Sequence, residues 1–208
     1  PGRFTEVVVF DKFDVHISQG SEMSVELVGG QNLFGNIVTR MDGEQLIIEN
    51  LNKCNFVRGY KKQMHINITL PYLRKASNNS VGPLYIRDFT QDTLLVRAES
   101  SGDIRVSGDF KEIRTSSHGN GDIYLSGSSN TLFVYAYGTN FLNAEQLTVR
   151  NYAFVETFSI GDCSINAEQL KLFEYNIWRE GNIYYKGRPP QVNDFSTGEG
   201  SGKAIPLD

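Results

Sequence analysis

Three acids follow three glycines at near-regular intervals: Asp103, Asp122 and Asp162 stand directly after Gly102, Gly121 and Gly161. Stacked about 4.8 Å apart in adjacent turns of a repeating structure, their carboxylates could gather Ca²⁺, which takes several oxygen ligands. Asp or Asn after glycine also closes turns by bonding nearby backbone. The full series reads Pro83, Asp103, Asp122, Thr139, Asp162 and Asn182, so a proline and a threonine interrupt any carboxylate ladder. The nine-residue repeat of calcium-binding β-helices is missing as well. These acids are therefore read as turn residues, and no metal ion or other cofactor is expected.

A second constellation stands between the apolar residues that follow each glycine: Tyr85, Arg105, Tyr124, Phe141, Ser164 and Tyr184. Four aromatics on one face can stack on sugar rings or anchor a protein partner. They can equally stack on one another and support a sheet. Tyr85, Arg105, Tyr124, Phe141 and Tyr184 are the candidate binding residues. Catalytic signals are poorer. Asp88, Asp92, Asp109 and Glu112 lie in or near turns, yet nothing in their spacing selects the carboxylate pair that glycoside hydrolysis needs. His16, His65 and His118 lack metal-ligand spacing. Cys54 and Cys163 form no CxxC, have no nearby histidine and read as separate thiols. No catalytic residue is assigned.

The elements that position these residues follow from one recurring phrase, a glycine, a small polar residue and then alternating apolar residues. It reads Gly102-Asp103-Ile104-Arg105-Val106, Gly121-Asp122-Ile123-Tyr124-Leu125, Gly161-Asp162-Cys163-Ser164-Ile165 and Gly181-Asn182-Ile183-Tyr184-Tyr185. Weaker copies begin at Gly82 and Gly138. The glycine-to-glycine steps are 20, 19, 17, 23 and 20 residues, the length scale of solenoid repeats. One such repeat cannot bury its own apolar face, so copies must stack. An inward column would hold Leu84, Ile104, Ile123, Asn140, Cys163 and Ile183. A second would hold Ile86, Val106, Leu125, Leu142, Ile165 and Tyr185; the second half of each repeat would give Leu94, Ile113, Leu132, Leu147, Leu170 and Val192, with Tyr152-Ala153-Phe154-Val155 as an insertion or an additional short strand. The matched phrases Asn143-Ala144-Glu145-Gln146-Leu147 and Asn166-Ala167-Glu168-Gln169-Leu170 support that register.

Residues 1–75 carry strands without the phrase. Phe13, Val15 and Ile17 alternate with polar residues, as do Met64, Ile66, Ile68 and Leu70, and Asp42-Gly43 signals a hairpin. Helical periodicity is nearly absent. The expected fold is all-β: one parallel β-solenoid domain over 1–208, irregular over 1–75 and repetitive over 76–208.

The chain resembles the auto-transporter adhesin, head GIN domain family of exported Bacteroidetes proteins. The resemblance is carried by Phe13-Asp14-Val15-His16-Ile17-Ser18-Gln19-Gly20, Asn32-Leu33, Asp42-Gly43-Glu44-Gln45-Leu46 and Ile66-Asn67-Ile68-Thr69-Leu70-Pro71. The repeated Gly-Asp/Asn-Ile phrase and Ile183-Tyr184-Tyr185-Lys186-Gly187-Arg188-Pro189 complete it. It implies a β-helix-like domain outside the cytoplasm, with adhesion as its role and no catalytic residue to carry over.

Composition narrows the partners. The 208 residues carry a net charge of −4 and a pI near 5.5, which argues against a general nucleic-acid binder. No apolar run approaches the ~20 residues of a membrane-spanning helix. Pro1-Gly2-Arg3-Phe4 lacks the basic and apolar regions of a signal peptide, so the expected extracytoplasmic location relies on a leader outside this sequence. The expected function is a non-enzymatic, exported or cell-surface, adhesin-like module that recognises a glycan or protein. A polysaccharide-acting enzyme of β-helix type and a structural spacer are the alternatives.

Overall fold

Period-two alternation sends one set of side chains inward and the other outward along almost every strand. In the computed structural model, which describes residues 2–29, 35–51 and 65–207, this alternation closes into a parallel β-solenoid of about seven turns. Cys54, Asn32, Leu33 and Met64 lie outside the described residues. Seven short strands come first: β1 (Glu6–Asp11), β2 (Asp14–Gln19), β3 (Ser24–Val28), β4 (Ile37–Asp42), β5 (Gln45–Asn50), β6 (His65–Leu70) and β7 (Lys75–Ser80). Four long strands follow: β8 (Leu84–Ala98), β9 (Ile104–Ser117), β10 (Ile123–Gly138) and β11 (Leu142–Ser159). Then come β12 (Cys163–Asn166), β13 (Leu172–Ile177), β14 (Ile183–Lys186), β15 (Gln191–Asp194) and β16 (Ala204–Leu207).

Each long strand bends around the coil and contributes to three faces. In β10 these are Ile123–Leu125, then Gly127–Ser129, then Leu132–Ala136. The inside–outside alternation slips phase between them. Gly127 makes one bend with φ +98°, a backbone that residues with a Cβ adopt rarely. The first face buries two columns in register. One is Val15, Leu84, Ile104, Ile123, Leu142, Cys163 and Ile183; the other is Ile17, Ile86, Val106 and Leu125, continued past the irregularity at Tyr124/Ser126 by Ala144 and Ile165. Cys163 is a fully buried free thiol whose pKa is pushed up to about 12, by burial first and the Asp162 charge second. It is a core residue rather than a reactive one.

The N-terminal third belongs to the same stack but enters it out of order. β1 lies between β5 and β7, and β2 between β6 and β8. β3 runs antiparallel to β6, and β4 antiparallel to β5. These two strands end the stack, with Val25, Leu27 and Ile37 packed against the core. The β4–β5 hairpin turns at Asp42-Gly43, as its turn chemistry predicts, with Gly43 at φ +59°.

Two register expectations are corrected. Leu142, not Asn140, pairs with Ile123 and Cys163, and Ala144, not Leu142, pairs with Ile165, so the coil beginning at Gly138 is shifted by two residues from the sequence alignment. Each corner has two close-approach positions, occupied by Gly119 and Gly121 in one coil and by Gly138 and Asn140 in the next. Glycine is kept at the first and lost at the second. On the third face, Leu132 pairs with Ala153 and Ala153 with Phe173, so Leu147 and Leu170 do not belong to that column. Tyr152–Val155 lies within β11 as the repeat's own strand, neither an insertion nor an additional strand. The longer step is absorbed by register shifts at Tyr124/Ser126 and Ser129/Thr131. The two Asn-Ala-Glu-Gln phrases share a local turn, in which Asn143 and Asn166 each accept from the amide two residues on. They do not share a register, because Asn143 pairs with Ser164.

Candidate functional site

The corner acids act between coils. Asp103 Oδ1 accepts the Asp122 amide at 3.1 Å, Asp122 Oδ1 the Phe141 amide at 2.8 Å, and Asp162 Oδ1 the Asn182 amide at 2.7 Å. Asn182 Oδ1 continues the series to the Lys203 amide at 3.0 Å. Each side chain thereby satisfies a backbone donor of the following coil, which the sequence reading had assigned to its own turn. No cluster of three or more metal-ligating side chains occurs among the described residues.

Phe141 occupies the corner position that Asp122 and Asp162 hold in their coils. It is 52% exposed and is not part of the outward column, contrary to the sequence alignment. The two-residue shift at Gly138 is the reason. The observed column reads His16, Tyr85, Arg105, Tyr124, Asn143, Ser164, Tyr184 and Ile205. Tyr184 belongs to it, but three coils beyond Tyr124, roughly 14 Å along the stack.

The remaining members come together in one place. A groove of about 320 Å³ opens on the first face, lined by Tyr85, Arg87, Arg105, Tyr124, Asn143 and Gln146 over a floor of strand residues. Parallel, in-register strands set its walls, because each outward side chain stands directly beside its counterpart in the next coil. The Arg105 guanidinium lies over the Tyr124 ring, 3.8 Å from its centroid, and the Arg87 guanidinium lies 4.9 Å from that of Tyr85. His16 stacks on Tyr85 at 4.7 Å and 7°. Tyr124 donates its hydroxyl to Asp122 at 3.3 Å, and Arg105 approaches Asp103 at 3.6 Å. Burial raises the Tyr124 pKa, reinforced by the charges of Asp122 and Asp103. Burial lowers that of His16, helped by the positive Arg87 and by His65 and opposed by Asp14. The tyrosine rings are thus already engaged by cations and by imidazole, and the groove presents guanidinium, amide and hydroxyl groups.

Arg87, Asn143 and Gln146 were not among the sequence candidates. Arg87 lies two residues after Tyr85 on the same strand face and was legible from period two. Asn143 needed the corrected register, and Gln146 reaches the groove through the bulge at Tyr124/Ser126.

A larger aromatic array occupies the third face. His118, Tyr137, Phe158 and Trp178 stack across consecutive coils, each ring pair 5.0 Å apart and within 10° of parallel. Beside them Phe133 packs edge-on to Tyr152 and lies under Arg114. The ladder spends its ring faces on itself, so it stabilises the sheet more than it offers a platform. The carboxylates weighed for catalysis are engaged separately: Asp92 with Lys111, Glu112 with Arg114, and Asp109 with Ser128. No helix is long and apolar enough to cross a membrane among the described residues.

A stack of this kind, with its corner glycines and inter-coil carboxylates, defines a parallel β-solenoid. Within that class the chain belongs to the family described as "Putative auto-transporter adhesin, head GIN domain", whose model matches residues 3–189. β15 and β16 lie beyond the matched stretch. The structure is similar to that of a "putative adhesin" from Bacteroides fragilis, with TM-score 0.84 and 24% identity, covering 99% of this chain and 93% of that one. It is also similar to a "putative adhesin" from Parabacteroides distasonis, with TM-score 0.69 and 18% identity over 100% and 94% of the two chains. A "putative lipid binding protein" from the same organism gives TM-score 0.67 and 18% identity over 99% and 93%. At these identities the likeness is one of fold. No curated protein matches the chain.

Proposed function

We propose that the protein is a non-enzymatic, exported or cell-surface, adhesin-like module that holds a glycan or protein partner in the first-face groove. Tyr85, Arg105 and Tyr124 are its central contacts. The observation that supports this reading is the groove itself, lined by Tyr85, Arg105 and Tyr124, three of the five residues that sequence spacing singles out. Family membership agrees with a binding role. Tyr184, further along the same column, and Phe141, at the neighbouring corner, are outlying contacts for a ligand long enough to pass along the stack. The groove's rim of guanidinium, amide and hydroxyl groups favours a polar partner over a lipid chain.

A glycan and protein array probed with the wild-type domain and with Tyr124→Ala tests this. The expected result is at least one hit whose affinity falls about thirtyfold or more in the variant, the size of effect that defines an interface anchor. Hits that Tyr124→Ala and Tyr85→Ala leave unchanged would remove the groove from the reading. A turnover assay on each glycan hit separates binding from catalysis, since release of new reducing ends would make the protein a polysaccharide-acting enzyme. An array without hits would favour the spacer.

A further inference from the structure

We infer that the groove takes an anionic saccharide, one bearing carboxylate or sulfate groups, and that Arg87 and Arg105 supply its charge recognition. This rests on the reading of the groove as the binding site. The chain carries a net charge of −4, yet the groove lining holds two arginines and no aspartate or glutamate. The lining itself is therefore positive, with Asp103 and Asp122 outside it at the corner edge, and a positive lining steers and selects charged ligands.

The chemistry of each side chain points the same way. Arg87 is exposed and makes no ion pair among those found in the described residues; its structural contact is the face of Tyr85 at 4.9 Å. A guanidinium placed over a ring, with no carboxylate partner, keeps its N–H fork free for an oxyanion, and that fork matches carboxylate or sulfate geometry. The Arg105 guanidinium lies 3.8 Å from the Tyr124 ring centroid, while its Nη2 approaches Asp103 at 3.6 Å. Asp103 and Asp122 stand at the corner edge and are committed to inter-coil amides, so they close that end of the groove to a second anion. Ser107, Ser126, Asn143 and Gln146 add groups that both donate and accept. That mixture suits the hydroxyls of a sugar better than the uniform phosphates of a nucleic acid. His16 takes one face of Tyr85 and Arg105 one face of Tyr124, which leaves a neutral sugar less ring to stack on. The volume, about 320 Å³, lies at the lower end of the range for small-molecule sites.

Isothermal titration calorimetry with an oligogalacturonate, a heparin-derived oligosaccharide and maltohexaose distinguishes carboxylate, sulfate and neutral ligands. At least one anionic ligand should bind, more weakly as salt is raised, while maltohexaose should not. Arg87→Gln should weaken that binding roughly tenfold or more, as loss of charge-assisted hydrogen bonds does. Arg87→Lys should recover part of it. Lys171→Gln makes the same change of net charge at an exposed site outside the groove and should have no effect. Circular dichroism establishes that each variant is folded. Anionic binding indifferent to both Arg87→Gln and Arg105→Gln would overturn the inference. Binding of maltohexaose alone, lost in Tyr124→Ala, would also overturn it while leaving the groove as the site. Absence of binding by all three saccharides would overturn it too, and the array with Tyr124→Ala would then decide the broader reading independently.

Discussion

Gly121 owes its identity to its neighbour in the previous coil. A Cβ there would lie closer than 3.0 Å to the Gly102 carbonyl, which is backbone and cannot turn aside as a flexible side chain would. Gly121→Ala should therefore cost about 2–3 kcal/mol, as overpacking in a tight interior does, and lower Tm by roughly 5–10 °C. The neighbouring Asp122 makes a different kind of bond. Its Oδ1 is the acceptor for the Phe141 amide, so Asp122→Ala should cost about 1–3 kcal/mol by leaving that donor unmet. Asp122→Asn retains an acceptor and should lose less. Thermal melts of both variants check this; calcium or a chelator should leave the wild-type Tm unchanged, since the carboxylate serves backbone rather than metal. His16 adds a pH dependence. Its pKa lies below 6.5 in the folded protein, first through burial and then through Arg87 and His65, with Asp14 opposing. The unfolded chain therefore takes up the proton first. Stability that is present above pH 6.5 is lost as pH falls through the lowered value. Tm measured from pH 7.5 to 5 should fall less steeply in His16→Gln than in the wild type.

At the scale of elements, inter-coil stacking joins what hydrogen bonds already align. Tyr137 and Phe158 lie 5.0 Å apart at 10°, each also stacked on a further neighbour. A double-mutant cycle with Tyr137→Leu and Phe158→Leu should return a coupling of about 0.5–1.5 kcal/mol. A coupling near zero would mean that the ladder contributes burial only. This ladder marks the limit of what spacing could reveal. Phe133, Tyr135 and Tyr137 alternate visibly, but Phe158 and Trp178 join Tyr137 only once the bulges of β11 are counted, and bulges leave no mark in a glycine count. The same limit explains Phe141. Leu84, Ile104 and Ile123 read correctly because each follows its corner glycine by two. The next coil kept glycine at the other close-approach position, and its whole register moved by two residues. Tyr85, Arg105 and Tyr124 were legible because the coils that carry them share one spacing.

For the whole molecule, repetition makes the fold nearly one-dimensional, each coil touching chiefly its neighbours. Destabilisation by Gly121→Ala should accordingly be felt first in the adjoining coils, as faster amide exchange in β9 and β11 than in β1 or β5. The two ends of the stack differ. β3 and β4 close one end with antiparallel strands, whereas β16 pairs on one side, with β14. The bonds between coils point along the axis, which gives the molecule a particular response to mechanical load. A tether attached through β16 and drawn along the axis opens the ladder strand by strand, as in unzipping, rather than shearing many bonds together. Each repeat of about 20 residues set free adds roughly 65 Å of extended chain. Drawn in this direction, the protein should lengthen in even steps at modest force, a saw-tooth that optical tweezers can record.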